Sequence, residues 1–307
     1  MSTNQIHPLH HMLAGGIGGG VADALVHPLL TIKARLQVQG AQPRAGTGFA
    51  AYHYTGTFDA FRSILRTEGA GGLYKGASAI VWATPACSLY FLGYETAKKA
   101  GENNPAVHAG AGFFAQLCGS LLWVPTDVLK ERLQVQAHVQ KGYESYLRAV
   151  RTVVAEGGVR RLYKGYWAHQ MTYGPFNSVY FALYEQCKAA GRERVGGDAN
   201  LTYGFLAASA LYSGTVASVL TAPMDNVKTR LQIQGTPMGN GTTAPSFNGF
   251  VDCLKTVWRS EGARGFFRGT GARVVSMAPK TGITMTAYEV ALSLIRDQGS
   301  GGGGGEQ

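Results

Sequence analysis

One ten-residue pattern, written three times, limits what this chain can fold into. Its third copy is Pro223-Met-Asp225-Asn-Val-Lys228-Thr-Arg230-Leu-Gln232 and its second is Pro125-Thr-Asp127-Val-Leu-Lys130-Glu-Arg132-Leu-Gln134. The first, Pro28-Leu-Leu30-Thr-Ile-Lys33-Ala-Arg35-Leu-Gln37, has leucine where the others have aspartate. The prolines recur at intervals of about a hundred residues, so the chain reads as three homologous units. Residues three apart share a helical face, and proline kinks the helix that carries it. Three kinked helices, each offering an acid and a base in this way, can close a ring of ion pairs.

The same signals follow each copy in the same order. Short amphipathic stretches, near 57–66, 146–155 and 247–259, end at Glu68-Gly69, Glu156-Gly157 and Glu261-Gly262. Tyr74-Lys75-Gly76, Tyr163-Lys164-Gly165 and Phe267-Arg268-Gly269 then open a second long helix in each unit. Those helices carry Pro85, Pro175 and Pro279 and end in Tyr94-Glu95-Thr-Ala-Lys98, Tyr184-Glu185-Gln-Cys-Lys188 and Tyr288-Glu289-Val-Ala-Leu292. The domain reading is a polar tail over 1–9, repeats over 10–100, 101–195 and 196–296, and a Gly-rich tail over 297–307.

Composition bears on one choice, membrane bundle or soluble repeat scaffold. A mean hydropathy of −0.03 and the lack of any long uninterrupted apolar run favour the scaffold. The 43 glycines and the charged fraction of only 15% favour helices packed closely in lipid. A net charge of +10 fits attraction to an anionic membrane. Nucleic acid is not expected as a partner, because the basic residues recur once per repeat without aromatic interleaving. The four cysteines form no CxxC pair and read as reduced thiols. No GxSxG, Walker A or HExxH pattern occurs, so neither an enzyme, nor a metal site, nor a cofactor is expected. Neither an apolar core nor an Arg-rich amphipathic run opens the chain, so no cleavable presequence is expected.

The triple PxDxxKxRxQ, the triple EG…[YF][KR]G and the [FY]ExxK-like helix ends together resemble the mitochondrial carrier family, from about His10 to Ile295. The resemblance implies an all-α membrane protein. Six transmembrane helices would surround a pseudo-threefold axis in three repeats, with short helices on the matrix side. It implies a monomeric, multi-pass transporter of the mitochondrial inner membrane working by alternating access, with cardiolipin bound at Gly76, Gly165 and Gly269. In the family the odd helices carry a matrix gate. Here it would pair Asp127 with Lys228 and Asp225 with Lys33, and Leu30 would leave Lys130 without its acid. Gln37, Gln134 and Gln232 would brace the pairs. A cytosolic gate would pair Lys98 with Glu185 and Lys188 with Glu289, leaving Glu95 opposite Leu292.

The family's substrate contacts fall on Trp82, Thr172 with Tyr173 beside it, and Met277, although an aromatic or Met at helical spacing also fits plain packing. Asp23, Lys280, Arg273, Tyr90 and Asn177 would share the cavity, with His169 and Tyr180 nearby. No Arg or Lys stands at the three contact points, which speaks against di- and tricarboxylates. Within the family the even helices most resemble the mitochondrial iron carriers, but Asp23, Cys87 and Tyr180 stand where those have histidines. A metal ion such as iron and an organic cation or zwitterion such as S-adenosylmethionine are the substrates left in contention. A carrier fold that no longer transports is the remaining alternative, suggested by Leu30 and Leu292.

Overall fold

The computed structural model describes residues 8–39, 54–98, 105–135, 146–195, 199–238, 242–277, 279–280, 283–284, 287 and 290–291. Each repeat begins with a long helix: α1 (Pro8–Val38), α5 (Pro105–Gln134) and, in the third, α8 (Ala199–Leu220) followed by α9 (Ala222–Gln232). At 1.5 Å per residue, thirty residues span about 45 Å. Pro28 and Pro125 lie inside their helices. The third copy departs from the expected continuous kinked helix, because Thr221 interrupts it and Pro223 falls in the first turn of α9. There its missing N–H costs nothing. The Thr221 hydroxyl donates to the Ala217 carbonyl at 2.7 Å, which carries the chain across the break.

The short helices are α2 (Thr57–Glu68), α6 (Tyr146–Gly157) and α10 (Phe250–Phe266). Each buries one stripe at i, i+4: Ala60 and Ile64, Ala149 and Val153, Cys253 and Val257. Each also leaves large apolar residues outside, among them Phe58, Leu147 and Trp258. A left-handed glycine follows α2 and α6, Gly69 and Gly158 at φ 70° and 71°, and Gly262 at φ 67° kinks α10 within its span. In the second repeat this is Gly158, not the expected Gly157.

The second long helix of repeat one opens as a 3-10 turn over Ala77–Trp82 before becoming α4 (Ala83–Lys98). A one-turn helix, α3 (Ala70–Leu73), precedes it. In repeat two the counterpart is the 3-10 turn Val159–Tyr163 followed by α7 (Tyr166–Val195). In repeat three a helix begins at residue 270. A two-residue antiparallel pairing of β1 (Pro237–Met238) with β2 (Thr242–Thr243) follows α9, an element the helical reading did not include.

The chain forms two compact units: one from Met1–Leu25, Ile80–Trp123 and Pro279–Gln307, the other from Val26–Ala79 and Val124–Ala278. Among the described residues no helix is long and apolar enough to cross a membrane. Glycines and the motif charges interrupt the apolar runs of α1 and α5.

Candidate functional site

In the larger unit the three motif copies meet. Lys228 Nζ lies 2.7 Å from Asp127 Oδ2, and Lys33 Nζ lies 2.8 Å from Asp225 Oδ2. These join repeat three to two and repeat one to three. Lys130 is not stranded by Leu30 as expected: it turns back along α5 to Asp127 Oδ1 at 3.8 Å, an i, i+3 contact. Two further groups belong to this layer. His169 Nδ1 approaches Asp127 at 3.4 Å and Arg273 Nη1 approaches Asp225 at 3.6 Å.

The glutamines behave unequally. Gln37 donates to Asp225 at 2.8 Å and accepts from the Thr229 hydroxyl at 2.9 Å, so it braces the Lys33–Asp225 pair. Gln134 instead lies 3.4 Å from the His27 ring, since the acid it would brace is Leu30. Gln232 is fully buried, and neither end of its amide has a hydrogen-bond partner among the described residues.

The motif arginines, which carry no role in the sequence reading, close a second ring. Arg35 Nε donates to the Gln134 carbonyl at 2.9 Å and Arg132 Nε to the Gln232 carbonyl at 3.1 Å. Arg230 Nη2 donates to the Gln37 carbonyl at 3.0 Å. Each arginine thus binds the backbone of the next repeat in cyclic order, and all three are at most 1% exposed. Their other nitrogens meet the glutamates that end the short helices. Arg35 takes Glu68 in a fork at 2.5 and 2.9 Å, and Lys75 adds a contact at 2.6 Å. Arg230 takes Glu261 in the same fork, joined by Arg268 at 3.0 Å. Burial alone would raise the Glu68 carboxyl, but Arg35 and Lys75 hold it below the usual carboxylate range.

Repeat two breaks this pattern, and a spacing in the sequence shows why. Glu156 stands seven residues before Tyr163, whereas Glu68 and Glu261 stand six before Tyr74 and Phe267. The residue equivalent to those glutamates is therefore Gly157. Where repeats one and three place Gly72 and Gly265, whose Cβ would sit 2.6 Å from the glutamate Cβ, repeat two places Arg161. Glutamate-over-glycine has become glycine-over-arginine. Arg132 reaches Glu156 only at 3.6 Å, and Glu156 is shared with Arg161 at 3.3 Å. Lys164 bonds Gln234 Oε1 at 3.1 Å, and burial with the Arg161 and Arg132 charges pushes its ammonium down.

Gly76, Gly165 and Gly269 all have left-handed backbones, at φ 83°, 80° and 78°. Each lies against the next repeat. A Cβ on Gly76 would meet the Lys130 carbonyl at 2.9 Å, and one on Gly269 would meet the Lys33 carbonyl at 3.0 Å. Close packing between repeats therefore gives these glycines a reason beyond any lipid.

The expected substrate contacts divide between the two units. In the smaller one, Lys280 Nζ forms an ion pair with Asp23 Oδ1 at 2.6 Å, with the side chains 40% and 23% exposed. The same unit holds Trp82, exposed, and Tyr90, whose ring lies 5.8 Å from that of Trp123. In the larger unit Thr172 is fully buried and its hydroxyl donates to the Ala168 carbonyl at 2.7 Å, which removes it from contact with a solute. Tyr173 beside it is half-buried, packs on His169 at 4.5 Å and lies under Lys228 at 5.0 Å. Arg273 is 6% exposed and committed to Asp225, Ser218 and Thr221, so it belongs with the ion-pair ring rather than with a free contact. Met277 is half-buried and Asn177 exposed. The side chains of Glu95, Lys98, Glu185, Lys188, Glu289 and Cys87 lie outside the described residues.

The family model described as mitochondrial carrier protein matches residues 4–105, 101–194 and 200–299, one match for each motif copy. The chain belongs to the mitochondrial carrier family. It is 36% identical over 318 residues to mitochondrial substrate carrier family protein E of Dictyostelium discoideum, covering 97% of this chain and 99% of that protein. It is 31% identical to S-adenosylmethionine carrier 1, chloroplastic/mitochondrial, of Arabidopsis thaliana, over 86% of this chain and 72% of that one. It is 32% identical to the mouse mitochondrial electrogenic aspartate/glutamate antiporter, over 90% of this chain and 40% of that protein. This carrier is a membrane transporter of a solute and not an enzyme. A soluble repeat scaffold is thereby set aside.

Proposed function

We propose that this carrier moves a zwitterionic α-amino acid or a derivative of one, such as S-adenosylmethionine, across the mitochondrial inner membrane by alternating access. The observation that carries the reading is the Asp23–Lys280 pair, 2.6 Å apart and partly exposed. A carboxylate and an ammonium held side by side match the ammonium and carboxylate of an amino acid, which can replace each partner by the substrate's opposite charge. Aspartate, glutamate and S-adenosylmethionine, named for two of the relatives, share those two groups. Trp82, in the same unit as the pair, offers a cation–π face for a further positive centre. An iron cation would have to displace an ammonium already seated on Asp23, and so fits the pair less well.

The remaining parts follow from six membrane-spanning helices in three repeats. The ring of Lys33, Asp127, Lys130, Asp225 and Lys228 is the matrix gate, shut by opposite charges until substrate supplies compensating contacts. Glu95, Lys98, Glu185, Lys188 and Glu289 form its cytosolic counterpart. Charges of this kind within a membrane are costly and are kept for function. Phe58, Leu147, Val251 and Trp258 give the short helices an apolar outer stripe suited to lying in the membrane interface. Cardiolipin would sit against Gly76, Gly165 and Gly269. A cavity of about 670 Å³ lined by Arg160, Arg161, Lys164, Gly165 and Gly249, and one of about 370 Å³ beside Arg268 and Gly269, support that placement.

The test is uptake into cardiolipin-containing liposomes of S-adenosylmethionine, aspartate, glutamate and ferrous iron, with thermal-shift measurements on the same purified protein. Amino-acid solutes should be transported and should raise Tm, and Asp23→Asn and Lys280→Met should each abolish uptake while leaving the fold intact. Parent-level uptake by both variants would remove the pair from the site. Stabilisation by iron alone would return the reading to a metal. No uptake of any solute would make this a carrier fold without transport.

A further inference from the structure

Asp127 and Asp225 each use one carboxylate oxygen twice. Asp127 Oδ2 meets Lys228 of another repeat at 2.7 Å and His169 of its own repeat at 3.4 Å. Asp225 Oδ2 meets Lys33 of another repeat at 2.8 Å and Arg273 of its own at 3.6 Å. His169 and Arg273 are equivalent residues, each four past the left-handed glycine of its repeat, Gly165 and Gly269. The backbone holds them alike. The His169 N–H donates to the Gly165 carbonyl at 2.8 Å, and the Arg273 N–H donates to the Gly269 carbonyl at 3.0 Å. Both side chains are buried. Repeat one has neither half of the arrangement: four residues past Gly76 stands Ile80, and the motif acid is Leu30. There the Gly76 carbonyl accepts from the Ala79 N–H instead, and the helix opens as a 3-10 turn. A basic side chain at this position thus occurs only in the repeats that carry a motif acid.

We propose that His169 and Arg273 are second partners of the gate acids, keeping each carboxylate paired within its own repeat while the repeats separate. The Lys228–Asp127 and Lys33–Asp225 pairs cross between repeats, so opening the gate must part them. A carboxylate left there without a cation is costly. The contacts to His169 and Arg273 lie within one repeat and need not break. Arginine is charged at any working pH, whereas histidine gains its charge only toward the acid side of pH 5–8. The Asp127 side of the gate is therefore the side that responds to pH. His169 is faced by Asp127 on α5, with Lys130 beside that acid, by Lys228 and Asp225 on α9, and by Tyr173 on α7. Of these groups histidine alone ordinarily changes charge in that range. The proposal rests on the ring acting as a gate, as proposed above.

The test compares His169→Gln, His169→Arg, Asp127→Asn and the His169→Gln/Asp127→Asn double variant with the parent. Each is measured at about pH 5.5 and about pH 8 by Tm and by liposome uptake of S-adenosylmethionine. Taking each variant as a ratio to the parent at the same pH cancels the titration of the solute itself. Uptake by His169→Gln should lie within about twofold of the parent at pH 8 and about fivefold below it at pH 5.5. His169→Arg should hold the acid-side rate at both. The Tm cycle should show a His169–Asp127 coupling of roughly 2 °C or more at pH 5.5 that fades at pH 8. His169→Gln and the cycle still decide if the larger arginine is not accommodated. Uptake ratios that do not move with pH overturn the proposal, and with a Tm coupling present they leave a purely structural pair. Tm needs no solute: if the parent takes up nothing, the transport reading fails by itself, and the coupling alone upholds or overturns the His169–Asp127 partnership.

Discussion

Replacing Glu68, Glu261 or Glu156 by glutamine makes one chemical change at three positions that the sequence motif presents as equivalent. Glu68 and Glu261 have side chains 4% and 6% exposed, each forked to an arginine and held by a second cation. Removing either charge leaves a buried guanidinium, Arg35 or Arg230, without its counter-ion, at a cost of about 3–5 kcal/mol. Glu156 is 27% exposed, and Arg132 meets it only at 3.6 Å. Arg132 also keeps its bonds to the Gln232 and Gln234 carbonyls at 3.1 and 2.8 Å. Loss of that partly solvated pair should cost about 0–1 kcal/mol. With roughly 2 °C of Tm per kcal/mol for a protein near this size, unfolding followed by a thiol-independent fluorescence probe should separate the variants. Glu68→Gln and Glu261→Gln should fall by about 6 °C or more, and Glu156→Gln by about 2 °C or less. A fall of equal size at Glu156 would refute the register argument, and no fall at Glu68 would refute the buried fork.

Three further outcomes follow from the same unit. The Glu68 carboxyl is held down in the folded state, so its contribution to stability is complete above its unfolded pKa and is lost as pH falls through the lowered folded value. Acid titration of Tm should therefore show a smaller acid-side loss in Glu68→Gln than in the parent. Gly269→Ala places a side chain at φ 78° and 3.0 Å from the Lys33 carbonyl, while Gly174 in α7 has nothing within 4 Å. The first should destabilise by about 1–2 kcal/mol or more through the left-handed backbone alone. Gly174→Ala should stabilise by up to about 1 kcal/mol, and chemical denaturation of both variants reads the sign directly. Burial pushes the Cys253 thiol up to about 12. Cys253 should then resist alkylation near pH 8 until the protein is unfolded, which mass mapping of labelled peptides will show.

The sequence by itself determined the architecture, because periodicity is a property of order along the chain. Three copies of one motif, three glutamate–glycine turns and three aromatic–basic–glycine helix starts fixed three repeats. The resemblance that these motifs carry also named the partners Asp127–Lys228 and Asp225–Lys33, which lie 2.7 and 2.8 Å apart. The sequence also carries the seven-residue spacing from Glu156 to Tyr163, which exchanges glutamate-over-glycine for glycine-over-arginine. What only the tertiary structure decided was where each polar group ends when its motif partner is missing. A spacing cannot show that Lys130 turns back to Asp127, or that Gln134 goes to His27 while Gln37 braces Asp225. Nor can it place Arg273 against Asp225 instead of in an open contact position. Those outcomes depend on which charges and carbonyls lie within about 4 Å once burial has made an unmet one costly.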